Sequence, residues 1–406
     1  MEQTNDRARG SILGGALLIA GCCVGAGMLG VPVLTAVAGF KPSLLVFFLS
    51  WLFMMTTGLL LLEVNLWFGD RSGIVSMAQR TLGRIGALIC WLLFLYLFYS
   101  VLVGYVVGSG NLLVEMAGEF LGLTLQPWQG SLLFCLLFGV IIYSGTLRVD
   151  YVNRILMAGL ALTYLLLVGA GAGHVHTEYL EHVDWGAAVF VVPPLIISFG
   201  FHNLVPSITY YLGAGERKRL VWTVVIGSAL PLLIYLLWQW LVLGLVPIEG
   251  GFREAIDRGE MATQVLRRTI GSSWVVTVAD FFALFAIVTS LLSVALSFVD
   301  FLADGLKIRR DRAGRAILCV LTLIPPFLVA VTYPKIFLQA LNYAGAFGAV
   351  ILFGIIPALM VWTGRYRKKL TEKPLVPGGR VVLVLVILFA SAVVLLQLLK
   401  ELGWVA

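Results

Sequence analysis

The 406 residues are 60% hydrophobic and only 12% charged, with a formal net charge of +7. Soluble domains carry about 25% charged residues, and the polar gaps here stay under about 30 residues, too short to fold as a soluble domain. The basic excess sits in those gaps between apolar runs, which points to contact with anionic lipid rather than nucleic acid.

Crossing a bilayer takes roughly 20 mostly apolar residues as a helix, and such runs recur here about eleven times. The runs lack the two-residue alternation of barrel strands, so helices must satisfy their own backbone. The chain reads as an all-α integral membrane protein with spans beginning near Ser11, Pro42, Gly86, Gln129, Val152, Ala187, Leu220, Trp274, Arg315, Ile336 and Arg380. Residues 1–10 form a polar tail, and the apolar run 12–38 follows. Ala36-Val37-Ala38 mimics a signal cleavage site, but the run is too long for a signal segment and contains Pro32, so it reads as an uncleaved first helix. Cys22, Cys23, Cys90, Cys135 and Cys319 all fall inside apolar runs and form no C-x-x-C pair. They read as small buried fillers, with neither a disulfide framework nor a zinc site.

Basic residues in short loops set the orientation. With the amino terminus inside, 21 of the 28 basic residues face the cytoplasm, among them Arg7, Arg9, Arg71, Arg148, Arg154, Arg310 and Arg365. The seven on the outer side are Lys41, Arg253, Arg258, Arg267, Arg268, Lys335 and Lys400. A multi-pass protein of a bacterial inner membrane is expected, amino terminus cytoplasmic and carboxyl terminus outside.

Two spans carry helix breakers near their middles. The first reads Gly21-Cys-Cys-Val-Gly25-Ala-Gly27-Met-Leu-Gly30-Val-Pro32, and the sixth runs from Pro193-Pro194 through Ser198-Phe-Gly200-Phe-His202-Asn203 to Pro206. Glycine costs about 1 kcal/mol and proline about 3 kcal/mol inside a helix. Irregular backbone at this depth survives only where protein buries it or it lines a cavity. Pro32 and Pro206 lie 174 residues apart, five spans, so the second break is inverted relative to the first. Paired broken helices in inverted halves mark the central site of a carrier; two ordinary kinks are the plainer alternative. A half-helix starting after the first break, near Met28 and Leu29, presents N–H groups to a carboxylate. Carbonyls freed before each break accept an ammonium group or a cation. An amino-acid zwitterion supplies both charges. Gly25-Ala-Gly27-Met-Leu-Gly30 also fits the dinucleotide fingerprint, but no strand precedes it and the next acidic residue is Glu63, so the match is fortuitous.

The Gly-Ala-Gly-Met-Leu-x-x-Pro break, the Leu-Leu-Leu-Leu-Glu63-Val close of the second span, Ser198-Phe-Gly-Phe-His202 with Val205-Pro206-Ser207, and Asp300-Phe-Leu-Ala-Asp304 together resemble the hydroxy/aromatic amino acid permeases of the amino acid–polyamine–cation superfamily, most closely their bacterial tyrosine-specific branch. The likeness covers essentially the whole chain. It implies a five-plus-five inverted repeat (the LeuT-like fold), with halves 11–173 and 187–363 and an eleventh helix at 380–402. It also implies uptake of an aromatic amino acid, tyrosine first, by cation symport with alternating access. Substrate-binding candidates are Gly25, Ala26, Gly27, Met28, Leu29, Ser198, Phe199, Gly200, Phe201, His202, Asn203 and Tyr99. Sodium-coupled members of the superfamily hold their cation between helix-one carbonyls and an Ala-x-x-Thr-Ser pattern on helix eight. Gly21 and Val24 with Ala286, Thr289 and Ser290 fit that set. Proton-coupled relatives place a lysine from helix five there, and this chain has Leu160. The balance tips to Na+ over H+, since hydroxyl and carbonyl oxygens suit a hard cation; the plain alternative is that Thr289 and Ser290 bond back to their own helix. No other cofactor and no protein partner is expected beyond the amino acid and the bilayer.

Ionisable groups within a span are costly and read as functional first. His202 stands as a proton carrier, a contact for the substrate side chain, or a neutral ring shaping the bend. Glu63 reads as a structural ion pair with Arg148 or Arg154 ahead of a proton relay. Asp300 and Asp304 are expected near solvent or Lys307, and His174, His176, Glu178, Glu181 and His182 read as a solvated outer loop rather than a metal site. Tyr96, Tyr99 and Tyr105, with Phe199 and Phe201, are candidates to line an aromatic pocket. A serine or threonine permease is the runner-up, a channel follows, and an enzyme finds no cluster of nucleophile, base and metal ligands.

Overall fold

The computed structural model describes residues 10–69, 72–143, 146–270, 273–309, 311–370 and 373–404. Arg7, Arg9, Arg71 and Arg310, all assigned to inner loops, and most of the tail lie outside the described residues, as does the Arg148 side chain. The chain is helical throughout, with no strand among the described residues. The first span is split into α1 (Ile12–Cys23) and α2 (Gly27–Ala36), which meet at 58°. The Ser11 hydroxyl caps α1 by accepting the Gly14 N–H at 2.9 Å.

α3 (Phe40–Phe68) is a single long helix, and α4 (Ile74–Leu121) is longer still because Gly83, at φ +82°, joins a short interfacial turn to the third span. α5 (Pro127–Tyr143) has 17 residues, about 26 Å at 1.5 Å per residue, short of a hydrocarbon core of about 30 Å. α6 (Thr146–Gly171) follows. The sixth span begins with α7 (Trp185–Ala188) and continues as α8 (Val192–Ser198), an irregular stretch, and α9 (Val205–Leu212). α10 (Arg217–Leu245) crosses back. Two short helices the sequence does not predict, α11 (Arg253–Arg258) and α12 (Ala262–Ile270), precede α13 (Ser273–Leu306). Arg267 of α12 pairs with Glu119 of α4 at 2.5 Å and Asp280 of α13 at 3.2 Å, so ion pairs fasten α12 to two long helices. α14 (Arg312–Thr332), α15 (Phe337–Tyr343), a π-helical stretch Ala344–Ile355, α16 (Ile356–Trp362) and α17 (Gly379–Glu401) follow.

Nine helices among the described residues are long and apolar enough to cross a membrane, or ten with α1 and α2 counted as one bent span. Each predicted span start falls on or beside one of these helices or α5. The chain is thus an integral, multi-pass membrane protein.

Glu63 corrects one expectation. Its carboxylate takes two hydrogen bonds from Arg365, at 2.8 and 2.7 Å, and one from the Leu375 N–H at 2.7 Å, so its ion-pair partner among the described residues is Arg365 and not the expected Arg154. The pair is all but shut off from solvent, and the Arg365 fork also reaches the Val376 carbonyl. This ties the second span, the tenth and the loop after it into one unit, a link across 302 residues that local sequence does not reveal. The three histidines of residues 174–182 are also held separately: His182 Nε2 lies 2.9 Å from the Val37 carbonyl, His174 Nδ1 bonds its own helix end, and His176 lies 3.6 Å from Glu178.

Removing one partner of a buried ion pair strands the other, at a cost of about 3–5 kcal/mol. Arg365→Met is expected to lower the melting temperature of the purified protein sharply. The double variant Glu63→Gln/Arg365→Met regains part of that loss, and thermal unfolding in detergent of both checks it.

Candidate functional site

The two interruptions come together in the middle of the molecule. α1 ends where Val24 turns extended, at φ −79° and ψ 108°, and α2 restarts at Gly27. α8 ends at Phe199, and Phe201 to Leu204 are non-helical or 3-10 before Val205 restarts the helix. One hydroxyl spans both: Tyr235 Oη of α10 donates to the Cys23 carbonyl at 2.7 Å and approaches the Ser198 carbonyl at 3.4 Å. Trp238 Nε1, one turn further on, donates to the Met28 carbonyl at 2.8 Å. From the other side, Ser290 of α13 accepts the Ala26 N–H at 2.9 Å. Each of these bonds replaces one the broken helix has lost.

Close approach explains the glycines. A Cβ on Gly25 would strike the Ser290 hydroxyl, and one on Gly27 would lie 2.7 Å from Ser198 Oγ and 3.2 Å from the Tyr235 hydroxyl. The backbone therefore passes between α13 on one side and α8 with α10 on the other, with no room for a side chain at Gly25 and none at Gly27 unless Ser198 changes with it. Met28 and Leu29 amides, expected to face a carboxylate, reach back to the Gly25 and Ala26 carbonyls at 2.9 and 3.1 Å.

Beside the breaks lies a narrow cavity of about 90 Å³. Its wall joins Cys22 of α1, Ile197, Gly200 and Asn203 of the sixth span, Val294 of α13 and Phe353 of the π-helical stretch to one face of α4. That face is Phe94, Leu97, Phe98, Val101 and Tyr105, spaced at helical intervals. Cys22 sits at the junction, its Sγ 3.5 Å from the Gly200 carbonyl and 4.0 Å from Asn203 Oδ1. Of the predicted substrate residues, Gly200 and Asn203 lie on this wall, whereas Gly25, Ala26, Gly27, Met28, Leu29 and Ser198 form the braced backbone next to it.

Four aromatic assignments change. Phe199 is fully buried against Phe47 of α3 and Tyr235, and Phe201 packs over Gly58 of α3, so both brace the break from behind. Tyr99 donates to the Leu321 carbonyl of α14 at 2.8 Å and borders a separate lateral hollow with Tyr96. Of the three candidate tyrosines, Tyr105 is the one that reaches the wall, with its hydroxyl toward Ser290. The 94, 97, 98, 101, 105 spacing was the available signal, hidden among many other aromatics on the same helix.

Part of the predicted cation set, Ala286 and Ser290, lies at the same break. The Ala286 carbonyl lies beside Gly25, and Ser290 holds Ala26. Thr289 donates to the Phe285 and Ala286 carbonyls at 2.7 and 3.2 Å, the helix-internal bonding weighed as its plain role, which leaves its oxygen lone pairs available. Gly21 packs toward Met157 of α6, where Leu160 is also buried.

A model of the tryptophan/tyrosine permease family matches residues 8–397. The tryptophan-specific transport proteins of Haemophilus influenzae and Pseudomonas aeruginosa are each 31% identical to this chain, over 98% and 99% of it and 97% of their own lengths. Tyrosine-specific transport system 1 of Haemophilus influenzae is 30% identical, over 92% of this chain and 93% of its own length. These relatives are transport proteins, and the chain does not read as an enzyme.

The meeting of the two breaks is directly testable. A Cβ at Gly27 would sit 3.3 Å from the Ser198 Cβ, close to disulfide range. Gly27→Cys/Ser198→Cys, with the native cysteines replaced and a protease site placed in the loop between α4 and α5, is expected to keep its two fragments linked after oxidation and cleavage. Gels with and without reductant check it.

Proposed function

The chain belongs to the tryptophan/tyrosine permease family, and on that premise we propose that it imports an aromatic amino acid by cation symport, the zwitterion held between the interrupted first and sixth spans. The observation that carries this reading is the shared bracing of both breaks by Tyr235, beside a cavity whose far wall is aromatic. In this reading, peptide N–H and C=O groups of the two breaks other than those braced by Tyr235, Trp238 and Ser290 take the α-carboxylate and α-ammonium without any charged side chain. The aromatic face of α4 suits a ring by stacking and edge contacts. Tyrosine and tryptophan, the substrates named for the relatives, are the candidates for this chain, with tyrosine favoured by the motif likeness. The serine or threonine alternative finds no support in the family match.

The architecture in this reading is a five-plus-five inverted repeat, 11–173 and 187–363, with α5 as a short fourth crossing and α17 as the eleventh. The amino terminus is cytoplasmic and the carboxyl terminus outside. Alternating access follows from rocking α1, α2 and the sixth span against the α4 and α13 wall. A cavity of about 90 Å³ is far below the roughly 300–1,000 Å³ of ligand sites, so this conformation is contracted around the site. The inner ends meet as well, with the Gly10 N–H on the Tyr211 carbonyl at 3.2 Å. Sodium is the proposed coupling ion, on the oxygens of Gly21, Val24, Ala286, Thr289 and Ser290, with no lysine at Leu160 to stand in for it.

Proteoliposomes loaded to impose a sodium gradient are expected to accumulate labelled tyrosine or tryptophan, with serine and threonine failing to compete. Accumulation driven by a pH gradient in sodium-free buffer contradicts the sodium assignment. Tyr235→Phe removes a bond worth about 1 kcal/mol net and is expected to slow uptake about fivefold at unchanged membrane content.

A further inference from the structure

His202 is the one histidine buried in the core, and its ring is half satisfied. Nε2 lies 2.9 Å from the Thr57 hydroxyl of α3. That hydroxyl also lies 3.2 Å from the Met54 carbonyl; with its hydrogen donated there, the imidazole donates from Nε2. Nδ1 is then a bare acceptor. It is fully buried and has no hydrogen-bond partner among the described residues. Leaving such a group unmade costs about as much as a lost hydrogen bond, and a native structure keeps one only for a reason.

Position supplies the reason. His202 lies between Gly200 and Asn203 of the cavity wall, and its ring stacks on Phe353 at 4.7 Å with the planes 8° apart. Phe353 is itself part of that wall, and it stands in the π-helical stretch Ala344–Ile355, a geometry that recurs at functional sites. The cavity is too small for an aromatic ring until a wall residue moves, and Phe353 is the wall residue that lies against the imidazole.

Resting on the transport reading above, we propose that His202 selects the substrate side chain: when the wall formed by Gly200, Asn203 and Phe353 opens, Nδ1 accepts a hydrogen bond from a polar hydrogen on the aromatic ring. A phenol O–H and an indole N–H both offer such a hydrogen, and a phenyl ring offers none. The site therefore takes hydrogen-donating aromatic amino acids and rejects phenylalanine. An acceptor left unpaired by the wrong ligand discriminates strongly, whereas an apolar pocket barely separates isosteres. The residue acts on specificity, with the zwitterion held elsewhere.

The test measures inhibition of labelled tyrosine or tryptophan uptake by tyrosine, tryptophan, phenylalanine, O-methyltyrosine and 1-methyltryptophan. Wild-type protein is expected to bind tyrosine or tryptophan at least about tenfold more tightly than phenylalanine and than the methylated counterpart. In His202→Phe, which keeps a ring against Phe353 and removes the acceptor, that ratio falls to near one. A structural role would weaken all ligands together and leave the ratio unchanged, which overturns the proposal, as does wild-type protein that fails to discriminate. Should His202→Phe not reach the membrane, Thr57→Val serves, since it frees the Nε2 proton from its acceptor; a ratio reduced severalfold supports the proposal and an unchanged one overturns it. Wild-type protein that accumulates no aromatic amino acid at all sinks the transport reading itself.

Discussion

A peptide group that loses its helical partner inside hydrocarbon has no water to turn to, and leaving it bare costs several kcal/mol. The centre of this protein is organised around that constraint. The break between α1 and α2 persists because Tyr235 and Trp238 from α10 and Ser290 from α13 take over its orphaned groups. The break in the sixth span shares the first of these donors. Glycine at Gly25 and Gly27 is what lets the supporting helices come close enough. The interruption is thus a property of the assembled fold, held open by helices distant in sequence.

That arrangement fits the substrate class of the family. A zwitterion needs donors and acceptors of backbone strength, and a permanent charge in the membrane centre would have to be neutralised at each turnover. The charged groups in contact here lie toward the helix ends and are paired with one another: Glu63 with Arg365, and Arg267 with Glu119 and Asp280. They stiffen the frame at its two ends and leave the middle to peptide groups, hydroxyls and aromatic faces.

Much of this was legible in the sequence, for reasons that are local. Membrane spans declare themselves by length and apolar content, and the clustered glycines and prolines marked both breaks to within a few residues. Hidden were the features that depend on which distant surfaces meet. Nothing near Glu63 announces Arg365, and Phe199 and Phe201 look like pocket residues until α3 is seen behind them. Tyr99 and Tyr105 are less than two turns apart on one helix, yet the first faces α14 and the second the site, because the face each presents depends on packing. α12 was missed since its nine residues carry two arginines that read as loop, while Ala262, Val265 and Leu266 are buried beneath them.

Cys22 stands between the two interruptions and on the cavity wall, so it reports on whether substrate binds where they meet. With Cys23, Cys90, Cys135 and Cys319 replaced by alanine, the rate at which a small thiol reagent modifies Cys22 should fall as tyrosine or tryptophan is added, half-maximally near the concentration that half-saturates uptake. An unchanged rate in a variant that still transports, at saturating substrate, would place the site elsewhere and contradict the account.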